Sequence, residues 1–396
     1  MPKLPVSGRY LPELDGVRAI AVGLVLLVHC VIVPEHGLVA WALRHTLSNG
    51  WIGVDLFFAL SGYLITSILL RAKSRPHYFR NFYARRFLRI FPLYYAIIGI
   101  LAVAAGWLSF GPFRPAWPYL TYTSNLWLVF SGHEWGPLGH TWSLAIEEQF
   151  YLLFPVLVLW LDKRRLRYLL WTLVALSPVI RVVTNALTFP GASSFATFCR
   201  LDILAMGALI AVTFDDRTEI SDAAVKRLKL ALGSLTALSA ILWLTKQLDF
   251  KKVFFNAIGL TVIEATAALF VCFVLVGPGR VMGKLLQFPL AVGMGRISYG
   301  IYLIHYPVVR IVEGEVRQHL ADGWGRTAAI AVTSIVLTLI IAIISWVSFE
   351  RPILRLKRLF YEEGEGAARV EAEMIEKPVA LSFHDEALTE PRGVPP

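Results

Sequence analysis

Cysteine is scarce in this chain. Cys30, Cys199 and Cys272 are the only thiols among 396 residues. All three fall in or beside apolar segments and none sits in a metal-ligand spacing. A disulfide framework and a zinc site are therefore excluded, and the three read as small buried hydrophobes. A glycine-rich nucleotide loop is missing, so any nucleotide-bearing ligand must be recognised by other means, such as helix ends. No polar stretch of 100 residues or more is left over for a separate soluble domain. There is neither an internal repeat nor the inverted repeat of secondary transporters. Negative charge is also in short supply: 28 Asp and Glu stand against 38 Lys and Arg, a formal net charge of +10.

What fills the chain is apolar surface. The hydrophobic fraction is 56% and the mean hydropathy +0.61. Runs of spanning length recur at about ten places: residues 18–34, 52–70, 87–109, 141–161, 167–186, 198–214, 229–246, 255–277, 287–311 and 327–349. The expected fold is an all-α, polytopic membrane helix bundle. Basic residues crowd alternate loops: Arg71 to Arg89, Lys163 to Arg167, Arg217 to Lys229 and Arg351 to Arg358. This positive-inside pattern places both termini in the cytoplasm and accounts for the basic balance without a nucleic-acid partner. The first apolar segment resembles a signal peptide, but no small-residue cleavage site follows it, so it is read as retained. Residues 1–361 form the expected transmembrane domain. Residues 110–140 form the longest outer connection, in which Tyr119 to Phe130 is apolar enough to lie along the interface or re-enter the protein. From Glu362 the composition turns acidic and rich in Ala, Gly and Pro. Residues 362–396 are expected to be a disordered cytoplasmic tail with one short helix around Ala367 to Ile375.

Polar side chains inside the apolar segments carry the functional signal, because ionisable groups within a bilayer are costly. Arg18 and His29 are eleven residues apart on the first segment. Eleven helical steps turn about 1100°, only about 20° past three full circles, so the two share a face and lie about 16 Å apart along the axis. In the expected topology the arginines gather at the inner mouth: Arg18, then Arg85, Arg86 and Arg89. Asp55, His140, Glu147, Glu148, Arg200, Asp202 and His305 gather toward the outer half. Ser298, Tyr302 and His305 recur at intervals of four and three, one stripe on a helix. Such a layout suits an anionic ligand at the cytoplasmic entrance and proton transfer further out.

At these residues the chain resembles the acyltransferase 3 family of membrane-bound acyltransferases, over nearly all of residues 10 to 352. The blocks that carry the likeness are Leu14-Asp15-Gly16-Val17-Arg18 through His29; Gly53 to Ile65; Tyr83 to Tyr95, with its Arg86-x-x-Arg89 pair; Thr141 to Tyr151; and Gly295 to His305. In order and at these spacings they are specific together. The resemblance implies transfer of an acyl group, commonly acetyl from acetyl-CoA, to a hydroxyl of a carbohydrate or related acceptor. It also implies that the Arg18/His29 and Arg86/Arg89 pairs are functional. Some members carry an extracytoplasmic hydrolase-like domain after the last spans; this chain, ending about 45 residues beyond the last apolar run, reads as the stand-alone kind.

His29 is the expected general base, taking the acceptor's hydroxyl proton as the oxygen attacks a thioester carbonyl. Glu147 and Glu148 point about 100° apart on a helix, so one of them is expected to face the site, orienting an imidazole, stabilising its cation or binding the acceptor. Arg18, Arg86 and Arg89 are the expected donor-binding residues, since guanidinium groups suit CoA phosphates. Asp55 either caps the second segment or binds the acceptor. His305 is a second acid/base or a substrate contact, and Tyr302 a supporting residue read chiefly as packing. Ser61 and Gly62 read as a close-packing pair, and Arg200 and Asp202 as an ion pair. No metal and no cofactor is expected beyond acyl-CoA as co-substrate. The expected surroundings are the bacterial cytoplasmic (inner) membrane, with a glycoconjugate such as exopolysaccharide or lipopolysaccharide as acceptor. Two rival classes remain: a transporter of a glycan or small anionic solute, and a polyprenyl-linked glycosyltransferase. Neither rival consumes a thioester.

Overall fold

The computed structural model describes residues 10–104, 116–131, 136–215 and 217–360, and helix dominates all four stretches. In chain order the α-helices are α1 (Pro12–Cys30), α2 (Leu38–Leu47), α3 (Ile52–Ala72), α4 (Tyr78–Ala104), α5 (Trp117–Leu120), α6 (Ser124–Ser131), α7 (Trp142–Trp160), α8 (Lys163–Leu187), α9 (Leu201–Phe214), α10 (Asp222–Leu244), α11 (Leu260–Val276), α12 (Gly279–Leu286), α13 (Pro289–Arg296), α14 (Ser298–His319), α15 (Trp324–Ser345) and α16 (Arg351–Arg355). The expected disordered tail, its short helix and the 361/362 boundary lie outside the described residues, as does part of the 110–140 connection.

Seven helical stretches among the described residues are long and apolar enough to cross a membrane: Leu38–Ala72, Tyr78–Ala104, Gly139–Trp160, Lys163–Leu187, Asp222–Leu244, Phe255–Val276 and Trp324–Phe360. The sequence predicts about ten. The other three segments are helical too, but fall short for identifiable reasons. Helix α1 carries Glu13, Asp15 and Arg18 within 19 residues. Helix α9 has only 14 residues. The run at 287–311 is divided between α13 and α14, and α14 continues to His319 through Arg310, Glu313, Glu315 and Arg317. Helix α1 packs in the interior and pairs Asp15 with Arg18, and α9 and the first half of α14 are buried, whereas the charges at the end of α14 (Arg310, Glu315 and Arg317) are exposed. At the other extreme, α10 buries only Leu242 along its length. Its exposed leucines and isoleucine (Leu230, Leu238, Ile241, Leu244) suit a lipid-facing helix.

Without a hydrophobic drive between helices in lipid, close approach of backbones holds such a bundle together. Gly62 of α3 and Gly207 of α9 are the clearest case. A Cβ on Gly62 would lie 2.1 Å from the Leu204 carbonyl oxygen, and one on Gly207 would lie 2.2 Å from that of Ala59. Gly295 makes the same contact for α13 against α1, where a Cβ would meet the Asp15 carbonyl oxygen at 1.9 Å. Helices α4, α7, α8 and α14 each tolerate an internal proline (Pro92, Pro155, Pro178, Pro307), as membrane helices do when neighbours satisfy the freed carbonyl. Tyr83, for example, donates at 2.8 Å to the Leu152 carbonyl, in the turn that precedes Pro155. In the short turn before α8, Asp162 caps the helix by accepting from the Arg165 backbone N–H at 2.8 Å, a bond that holds its carboxyl below the usual range.

Residues 116–131 pack one face against the bundle, while Trp117, Leu120 and Phe130 stay exposed. Asn125 is fully buried and donates to the Phe195 carbonyl at 3.0 Å and to Thr197 at 2.8 Å. Gln149 of α7 donates to the Tyr122 carbonyl at 2.7 Å and to Asn125 Oδ1 at 3.0 Å.

Candidate active site

Helices α1, α3, α4, α7 and α14 surround a cavity of about 110 Å³. Its polar lining includes Arg18, Arg86, Arg89 and Glu147, with Ser61, Ser143 and Tyr302. Three residues of spacing put Arg86 and Arg89 on one face of α4, and α1 supplies Arg18 from across the cavity. Arg18 is fixed by Asp15, whose Oδ1 lies 2.5 Å from Nη1. Asp15 in turn accepts from the Tyr10 hydroxyl at 2.8 Å. Burial and the Asp15 charge push the Tyr10 phenol up to about 12, so it remains a neutral donor. The Arg86 guanidinium sits over the Tyr151 ring, 5.4 Å from its centroid, a cation–π contact that orients its fork.

The two adjacent glutamates diverge as helix geometry requires. Glu147 lines the cavity and accepts from the Ser61 hydroxyl at 2.5 Å. Glu148 is absent from the lining and faces the tyrosine group formed by Tyr94, Tyr95 and Tyr122. Ser61 thus belongs to the polar site while its neighbour Gly62 makes the helix contact.

His29 lies on the same helix as Arg18 but outside this cavity. Its Nδ1 is 3.0 Å from the Val25 carbonyl oxygen and 3.1 Å from Nε2 of His305. His305 is fully buried on the stripe that also carries Ser298 and Tyr302, both of which line the cavity. A polar pair on the cavity wall, Ser143 and Tyr302, adjoins the histidines. The Tyr302 hydroxyl donates to the His140 carbonyl at 2.9 Å, which leaves the Ser143 hydroxyl, 2.5 Å away, as donor to the phenol oxygen. The structure therefore brings Arg18, Arg86, Arg89, Glu147 and Tyr302 into one lining, brings His29 and His305 into contact, and joins the two groups through α14.

Asp55 lies elsewhere. It is fully buried and ion-paired to Arg200 Nη2. Arg200 Nη1 also lies 2.9 Å from Glu264, whose other oxygen is 3.1 Å from Arg181; Arg181 reaches Asp202 at 2.7 Å. The expected Arg200–Asp202 pair is replaced by this chain of five buried charges joining α3, α8, α9 and α11. Sequence reading overlooked Glu264, although a lone carboxylate in an apolar run was a signal. It also gave His140 no role. That ring is buried 5.0 Å from the His305 ring, and both of its nitrogens lack a hydrogen-bond partner among the described residues. No spacing rule reveals a neighbour so far away in sequence. Among the described residues no group of three or more His, Cys, Asp or Glu is placed to hold a metal ion.

The helical bundle thus encloses a cavity lined by arginines, a carboxylate and hydroxyls, with a histidine pair one turn further along α14, a layout suited to an anionic ligand and proton transfer. The chain belongs to the acyltransferase 3 family, whose acyltransferase domain matches residues 11–347. It is 31% identical to the O-acetyltransferase OatA of Staphylococcus aureus over 371 residues, covering 88% of this chain and 58% of that protein. The peptidoglycan O-acetyltransferase OatA of Listeria monocytogenes is 28% identical, covering 90% and 58%. The putative peptidoglycan O-acetyltransferase YrhL of Bacillus subtilis is 32% identical, covering 87% and 55%. The chain thus spans a little over half the length of these relatives. No solved structure matches it. It is a bacterial multi-pass membrane protein of this family.

Proposed function

We propose that this protein transfers an acyl group, acetyl first, from acyl-CoA to a hydroxyl of a cell-envelope carbohydrate. In this reading Arg18, Arg86 and Arg89 bind the phosphates and thioester end of the donor at the cytoplasmic side. His29 Nε2 removes the acceptor proton as the hydroxyl oxygen attacks the thioester carbonyl. The tetrahedral intermediate collapses, the C–S bond breaks, and His29 returns the proton to the departing thiolate, giving an ester and free CoA. Glu147 offsets the positive charge that develops on the imidazole or holds the acceptor, and His305 and Tyr302 support the acceptor end. Asp55 serves through its pairing with Arg200, as a brace rather than a ligand. The Ser143–Tyr302 pair lines the cavity, and the Tyr302 ring neighbours His305 with centroids 5.6 Å apart, so this pair borders the route from donor to base.

The same reading sets the protein in the cytoplasmic membrane with ten traverses, α1, α9 and α14 included, and both termini in the cytoplasm. Residues 1–361 are the catalytic domain and 362–396 a tail. The observation that carries the proposal is the sharing of one cavity by three arginines and Glu147, one helical turn along α14 from the His29–His305 contact. The names of two relatives, which specify peptidoglycan O-acetylation, favour acetyl and a wall or envelope glycan. The test is mass spectrometry of envelope glycans from cells with and without the gene, combined with incorporation of labelled acetyl-CoA. Loss of a defined O-acyl mark on deletion is expected. Unchanged glycans with no thioester consumption would refute the activity, and uptake of an intact solute would favour a transporter.

A further inference from the structure

We infer that His305 is a positioning residue that fixes the tautomer of His29 and so selects Nε2 as the basic atom. This inference rests on the general-base reading above and adds a mechanism for it. A carbonyl oxygen only accepts hydrogen bonds, so each imidazole nitrogen facing one must carry a proton. His305 Nδ1 lies 2.5 Å from the Tyr302 carbonyl oxygen. It is therefore N–H, and the lone pair of neutral His305 is on Nε2. That lone pair points at His29 Nδ1, 3.1 Å away. His29 Nδ1 also faces the Val25 carbonyl oxygen at 3.0 Å, so it too is N–H and is shared between two acceptors. The only lone pair left on His29 is at Nε2, which has no hydrogen-bond partner among the described residues.

Each part of this arrangement is consistent with the next. A charged His305 would turn an N–H toward the N–H of His29, donor against donor, so the contact requires His305 to stay neutral. When His29 gains the acceptor's proton on Nε2, its Nδ1–H still has both acceptors. Rotation of the His29 ring is limited by Tyr306, packed edge-on with centroids 5.3 Å apart. His305 thus does with a neutral ring, anchored by a backbone carbonyl, what a carboxylate does for the histidine of a hydrolase triad.

The test uses permeabilised cells deleted for the gene and complemented with full-length variants, with labelled acetyl-CoA varied and label counted in the washed envelope. Membrane levels are checked by immunoblot. His305→Leu is expected to lower maximal incorporation by about tenfold or more with little change in KM for acetyl-CoA. His305→Gln, whose amide oxygen can accept from His29, is expected to recover most of the rate. Equal loss in both variants, or a loss that tracks membrane level or KM, would reduce His305 to a structural residue. Wild-type rates in His305→Leu beside an inactive His29→Ala would overturn the positioning role alone. An active His29→Ala would overturn the general-base reading beneath it.

Discussion

Replacing Arg200 with methionine removes one of two cations from a buried chain that also holds three carboxylates. Arg200 is the ion-pair partner of Asp55 and one of two for Glu264. Methionine preserves much of the side-chain volume, so the loss is mainly electrostatic. Asp55, fully buried on α3, then has no cation, and Glu264 keeps only Arg181. Breaking a buried ion pair by removing one partner costs about 3–5 kcal/mol, because the remaining charge is uncompensated. At about 2–4 °C per kcal/mol, the melting midpoint falls by roughly 6–20 °C. Heating detergent-solubilised protein and measuring the surviving monodisperse fraction by size-exclusion chromatography reads this directly. Removing the stranded charge as well, in Arg200→Met/Asp55→Leu, should recover at least about 1 kcal/mol relative to the sum of the single changes. Activity should fall with stability in Arg200→Met, because α3 also carries Ser61, the donor to Glu147. An Arg200→Met protein as stable as wild type, or a double variant no better than additive, would refute the bracing role.

Arg89→Ala should raise KM for acyl-CoA by about 10- to 100-fold, the worth of one charge-assisted hydrogen bond of about 1.5–3 kcal/mol, while acceptor dependence changes little; initial rates at varied donor check it. Glu147→Gln should lower turnover by about 10²-fold or more, whereas Glu148→Gln, turned toward the tyrosines, should stay within a few-fold; the reverse order would reassign the carboxylate. Gly62→Ala should destabilise the α3–α9 contact by about 1–3 kcal/mol, since its new Cβ would lie 2.1 Å from the Leu204 carbonyl oxygen; thermal survival in detergent measures it.

Periodicity made parts of this site readable before any coordinates. The i, i+4, i+7 stripe of Ser298, Tyr302 and His305 sits on one face of α14, and the three-residue spacing of Arg86 and Arg89 sets both on one cavity. Helix geometry also required the two glutamates to diverge, but only tertiary packing decides that Glu147 faces inward. Contacts between distant segments were beyond any spacing rule: His29 meets His305 across 276 positions, and Arg200 meets Asp55 across 145. The count of crossing helices was least legible where function intrudes. Helix α1 carries the paired Asp15 and Arg18 among its buried positions, and α14 runs on past its apolar half into an exposed charged stretch with Arg310, Glu315 and Arg317. The brevity of α9 follows from the 3₁₀ turns over Ala192–Ser194 and Thr197–Cys199 that precede it.

The central claim is that guanidinium groups on the cytoplasmic side hold a CoA thioester while His29 deprotonates the incoming alcohol. Its most direct test is the rate of labelled acetyl transfer to the envelope by His29→Ala protein shown to be inserted at wild-type level and still able to bind acetyl-CoA. Donor binding intact with transfer lost to background is the expected result. Near-normal turnover from that same protein would contradict the claim.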